Sequence, residues 1–220
     1  MAKRKKYLRK KSKRKAVTKK QSSVTGRPSM SLLRSSGSWP LLEVIINAEW
    51  EDTMQITQLV IARRGPTGQV AIGTFLIDLA CLGVKNAYGY LFPNERAYRN
   101  SLRADMTSKQ KMVAIELDCA AKIIEEAIAY AKKLGFRPHK DIRYARPVMG
   151  ETHPEQCDLD VPLGGPEGKP FFIAGPYDNP ERIMRILDRK VGPGNYTYLT
   201  PIGPETLFFE DDDFEEKWEE

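Results

Sequence analysis

QLVIARRGPTGQVAIGTFLIDLACLG, residues 58–83, carries the strongest strand signal in the chain. Two apolar runs flank Gly65-Pro66-Thr67-Gly68, turn chemistry that returns the second run against the first as a hairpin. The second run is long, and Gly73 inside it is expected to mark a bulge. Ile72, Leu76 and Ala80 line one of its faces and Phe75, Ile77 and Leu79 the other. A strand apolar on both sides belongs in the middle of a sheet. Asp78 is out of keeping there, since a carboxylate is unfavourable in a strand interior and costly in a core unless hydrogen-bonded or paired. Either the turn behind it supplies N–H donors, or Lys85 supplies a charge, or Asp78 serves chemistry.

Outward from this hairpin, LLEVIINAEW (41–50) reads as an earlier strand. Residues 107–134 read as one long helix capped by Thr107 or Ser108 and ended by Gly135. Its apolar stripe runs Val113, Leu117, Ala120, Ile124, Ile128, Ala131, Leu134. Residues 135–151 show little regular signal and read as a connection, while KPFFIAGPY (169–177) reads as a short buried strand. Asp178 or Asn179 then caps PERIMRILDRKVG, with Pro180 in the favoured first turn. NYTYLTPI closes the pattern as an edge strand ended by Pro201. The expected class is α+β: a mixed, mainly antiparallel sheet with one long helix and one shorter C-terminal helix. A doubly wound sheet is excluded because a tight turn joins the early strands. The expected divisions are a disordered basic arm and linker at 1–38, a single domain at 39–209 and an acidic tail at 210–220.

Charge divides the chain in the same places. Residues 1–20 hold twelve Lys/Arg and no acid, and residues 210–220 hold eight acids and one Lys. The residues between are nearly neutral, with 22 basic and 21 acidic side chains. No apolar run approaches the roughly 18–20 residues of a membrane span, and the N-terminus lacks a signal-peptide core. Cys81, Cys119 and Cys157 make an odd, widely spaced set without a CxxC pair, which predicts reduced thiols and a cytoplasmic setting rather than a disulfide framework.

The arm's cations are Lys3, Arg4, Lys5, Lys6, Arg9, Lys10, Lys11, Lys13, Arg14, Lys15, Lys19 and Lys20. Like charges at this density repel, so the free arm is expected to be disordered. Laid on a polyanion it neutralises several phosphates and releases their counterions. A solubilising tail, a targeting signal or contact with an acidic membrane surface are the competing readings. Mixed Lys and Arg without repeats favours RNA over DNA, with a ribonucleoprotein or protein partner for the folded part. The acidic tail is positioned by charge to compete with RNA for the arm.

TFLIDLACLGVKNAYG (74–89), EEAIAYAKKLGFRPHKD (125–141) and GKPFFIAGPYDNPERI (168–183) together resemble a family of bacterial proteins with a FLxDxxCLGVK(N/D)A signature and no established activity. The resemblance spans roughly residues 58–190 and implies a bacterial cytoplasmic setting without implying a mechanism. Some of its members carry an added cysteine-rich metal-binding module, which is missing from this sequence.

For chemistry, the motif turn offers Asp78, Gly83, Lys85 and Asn86, with Cys81 between them; His139/Asp141 and Asp178/Asn179 are expected to converge on the same edge. Asp78, Cys81, His139 and Asp178 are the catalytic candidates. One alternative is a ribonuclease-H-like nuclease in which Asp78, with Glu43 or Asp52, Asp118 and Asp178, holds magnesium. Against it, that fold places its leading Asp on the first strand, where this chain has only Glu43. A Cys81–His139 nucleophile pair and a zinc site on His153 and Cys157 are weaker patterns. Outside the nuclease alternative no cofactor or metal is expected.

Overall fold

The computed structural model describes residues 30–200. The basic arm and the acidic tail, with every expectation placed on them, lie outside the described residues.

The hairpin forms as its turn chemistry dictates. Strand β2 (Thr57–Arg64) pairs antiparallel with β3 (Val70–Asp78), and Gly65 N donates to Gln69 O at 2.8 Å across a turn whose Gly68 sits at φ +85°. β1 (Leu41–Asn47) lies beyond β2. β4 (Gly83–Phe92) pairs with β3 and β5 (Met112–Ala114) with β1, giving the antiparallel order β4-β3-β2-β1-β5. β3 is thus an interior strand. Gly73 is no bulge: it pairs in register with Ile61 on one side and Gly89 on the other. The irregularity falls further along, where Leu76 opposes Asn86 but Ile77 opposes Val84, which leaves Lys85 as the extra residue on β4.

Both faces of the sheet are buried. Val44, Ile46, Leu59, Ile61, Phe75 and Ile77 pack under α4 (Leu117–Lys133) and α5 (Ile142–Met149). Their alternating neighbours Ile45, Val60, Ala62, Val70 and Ile72 pack under the segment holding α2 (Glu95–Tyr98), a π-helical turn (Arg99–Arg103) and α3 (Ala104–Lys109). The period of two explains the double apolar pattern, and each fully buried aliphatic side chain contributes about 2 kcal/mol.

The mixed class and the mainly antiparallel sheet are as expected, but the helices are not one long and one short. The 107–134 segment is α3, then β5, then α4. Val113 and Ile115 are β-branched, and the free edge of β1 offers partners: β5 pairs with Ile45–Asn47 and Ile115 N donates to Val44 O at 3.1 Å. Sheet pairing therefore interrupts the helical period. The helix does end where Gly135 predicts: Gly135 N donates to Lys132 O and Phe136 N to Ala131 O, with Gly135 at φ +93°. The segment read as a connection holds α5, and residues read as linker form α1 (Met30–Ser35), whose Leu33 is fully buried in the core.

After α5 the chain runs to β6 (Phe171–Ile173), α6 (Pro180–Lys190) and β7 (Thr197–Leu199). β7 pairs with β6 in a separate two-stranded parallel sheet, for which α6 is the crossover. Cys81, Leu82, Leu134, Phe172 and Leu187 form the small core that joins this unit to the main body.

The cysteine expectation is corrected. Cys119 on α4 is bonded to Cys157, 38 positions on, and only Cys81 remains a thiol. An odd count is one bridge plus one buried core cysteine, a division that spacing alone does not reveal. Among the described residues no helix is long and apolar enough to cross a membrane.

Candidate functional site

The β3–β4 turn, the loop at 135–139 and the loop at 174–179 meet at one end of the sheet. Asp78 closes β3 opposite Gly83 and is only 6% exposed. Its Oδ1 accepts from Cys81 N at 2.9 Å. Burial pushes its carboxyl up to about 6, against the opposing pull of Lys85 and of the N–H groups of Cys81, Leu82 and Ala80. Gly83, at φ +67°, lets the chain turn tightly beneath α4, where a Cβ would stand 2.8 Å from Ala127 O.

The extra residue on β4 re-aims Lys85. Its Nζ donates to Asp178 Oδ2 at 2.6 Å, and the same oxygen accepts Gly175 N at 2.8 Å. Both partners of this pair are largely buried. Lys85 thus neutralises Asp178 and acts on Asp78 through space. A cavity of about 120 Å³, walled by Met54, Ile56, Phe171 and Ile173, opens onto Asp78 and Lys85. Asn86 accepts from Ala87 N, and Asn179 caps α6 by accepting from Arg182 N at 2.9 Å.

His139 reaches this end through its N–H, which donates to Val84 O at 2.9 Å. It lines a depression of about 340 Å³ together with Lys85 and Asp178. The turn and the two later polar clusters therefore do gather at one edge, across 93 positions of sequence for Lys85 and Asp178. Cys81 is fully buried, and burial with Asp78 beside it pushes its thiol far above the ordinary range, which leaves no thiolate for nucleophilic attack at neutral pH. Cys157 is committed to the disulfide, and His153 is an exposed residue beside Glu155.

The carboxylates proposed to share magnesium have separate partners. Glu43 accepts from Tyr98 Oη at 2.7 Å and pairs with Arg103 at 3.2 Å, Asp52 accepts from Met54 N, and Asp118 accepts from His153 N at 2.7 Å. Among the described residues no three His, Cys, Asp or Glu side chains are grouped to hold a metal ion.

Three residues that sequence reading passed over stand at the mouth of the site. Arg137 and Arg182 line the His139 depression and also an adjoining one of about 510 Å³, floored by Phe136, Ile183 and Ile186. Tyr177, on the rim, is 100% exposed. Arg182 follows a legible helix cap, but nothing local to Arg137 says that the two would face one groove.

The raised Asp78 carboxyl sets a pH signature. The folded state holds the Asp78 proton up to about pH 6 while an unfolded chain releases it near 4. Its contribution is fully present below about pH 4 and is lost as pH rises through 6, by roughly 3 kcal/mol at most. Thermal melts should show wild type's stability relative to Asp78→Asn falling between pH 4 and pH 7. A difference constant over that range would refute the assignment.

No protein-family model matches this chain, and no curated protein or solved structure matches it at a significant level.

Proposed function

We propose that this protein binds nucleic acid, RNA in preference to DNA, through its N-terminal arm, with the folded part docking onto a ribonucleoprotein or protein partner. The observation that carries the reading is the charge distribution: twelve cations and no acid in residues 1–20, beside a middle of almost balanced charge. Affinity of that kind comes from counterion release and is steeply dependent on salt. The described site fits a binding role. Its central carboxylate is tied to turn N–H groups and its lysine to Asp178, so the Asp78 motif holds two loops in position. A bacterial cytoplasmic setting belongs to the same proposal and rests on the family resemblance alone, because the Cys119–Cys157 bond removes the reduced-thiol argument for it.

Titration of a fluorescent RNA with the full chain and with a chain lacking residues 1–20 tests the reading. Deletion should weaken binding roughly a hundredfold at moderate salt and flatten the dependence of log K on log salt. Undiminished binding by the shortened chain would place the affinity elsewhere and defeat the proposal.

A further inference from the structure

We infer that the folded part carries a nucleic-acid contact of its own: the groove between the 135–139 loop and the start of α6 takes a single strand, with Arg137 and Arg182 on its phosphates and Tyr177 stacked on a base. The inference deepens the nucleic-acid reading and rests on it for the class of ligand.

Charge gives the first ground. Arg137 and Arg182 are exposed, line the same two depressions, and have no carboxylate partner among the described residues. Lys85 at the same edge is already neutralised by Asp178, so the groove's charge comes from the two guanidinium groups, with Lys190 packed against Gly135 beside them. A guanidinium matches a phosphate through two parallel N–H donors.

The ring of Tyr177 gives the second. It is wholly exposed, between Pro176 and the residues that start α6, and it contributes nothing to the core. Of the described tyrosines, Tyr98 is buried with its hydroxyl on Glu43, and Tyr196 donates to Asp188 at 2.9 Å. An exposed aromatic beside a positively charged groove is the pairing by which proteins hold single strands, since every base offers a face for stacking and the backbone follows the cations. A duplex, whose bases are already stacked, gains only the arginine contacts.

The other candidate occupant is an acidic segment of this chain. Ala174 N donates to Leu199 O at 2.9 Å, so the described chain ends beside the segment that leads into the 174–179 loop, and the tail EDDDFEEKWEE begins ten residues beyond Thr200. The tail matches the arginines in charge and carries Phe214 and Trp218, so it is the competitor that the test must separate from a single strand.

The test uses the full chain, a fluorescent single-stranded oligouridylate and an RNA duplex of equal length. Arg137→Glu with Arg182→Glu should weaken single-strand binding roughly tenfold or more and reduce the salt slope by about 1.4, the equivalent of two phosphates. Tyr177→Ala should weaken single-strand binding roughly fivefold or more and leave duplex binding unchanged. Both sets of changes are on exposed side chains, and unaltered melting temperatures verify the fold. If the chain lacking residues 1–20 loses binding while these variants match wild type, the groove inference falls and the arm reading stands. If Tyr177→Ala is silent and removal of 210–220 strengthens binding only while both arginines are present, the groove belongs to the tail and the inference falls. Full-length protein that binds neither probe overturns both readings.

Discussion

Gly89→Ala should be among the most damaging single changes this fold admits, at about 4 kcal/mol. A Cβ at Gly89 would stand 2.1 Å from the carbonyl oxygen of Tyr144, which is backbone and has no rotamer to retreat into. Gly73, its partner across β3 and β4, faces Ala145 O at 2.6 Å in the same way. Neither glycine has a left-handed backbone; what they supply is room, so that α5 lies with its carbonyls directly on the sheet. Chemical denaturation of Gly73→Ala, Gly89→Ala and the double variant should show a double cost well below the sum, because the first methyl already lifts the helix the second would meet. A Gly89→Ala protein within 1 kcal/mol of wild type would mean that α5 does not sit so close.

Arg63 should rank beside it. The side chain is 7% exposed and has no carboxylate partner among the described residues. Instead Nε donates to Val148 O at 2.7 Å, Nη2 to Met149 O at 2.6 Å and Nη1 to Trp39 O at 2.7 Å. Two of these carbonyls belong to the last turn of α5, where a helix accumulates negative charge and lacks N–H donors. Burial lowers the Arg63 pKa, and the carbonyl fork is what holds the charge in place. Arg63→Met leaves two buried carbonyls and one half-buried carbonyl without that donor and should cost about 3–5 kcal/mol. Arg63→Lys keeps the charge but loses the planar fork and should recover only part of the loss. Denaturant unfolding of both variants checks the ranking; a methionine variant more stable than the lysine one would show that the charge is a burden and not a cap.

What could be read from sequence followed the range of the forces involved. The Gly65–Gly68 turn, the Gly135 helix end and the Asn179-Pro180 helix start were legible because each is decided within about five residues. β5 and α5 were not, because their reasons lie far away: β5 needs the free edge of β1, and α5 needs the glycine floor of β3 and β4 and the cap from Arg63. β4 was hidden by Asn86 and Gly89, poor strand formers in isolation, which become acceptable once β3 and α5 are in place. The candidate site shows the same division. Asp78, Lys85, His139 and Asp178 were each conspicuous as polar residues at breaks in the pattern. That Lys85 would choose Asp178 over Asp78 depends on one extra residue in β4 and on the docking of the β6–α6–β7 unit, and neither has a local signature.

The Cys119–Cys157 bond makes part of the polypeptide a closed ring. Within that ring lie most of α4, the loop bearing Arg137 and His139, and all of α5; β1 to β4 and the β6–α6–β7 unit hang from its two ends. The groove is therefore built from one wall on the ring, with Arg137, and one wall on an open strand of chain, with Arg182. A cut in the backbone anywhere inside the ring leaves a single covalent molecule, whereas a cut between Cys157 and α6 severs one wall from the other.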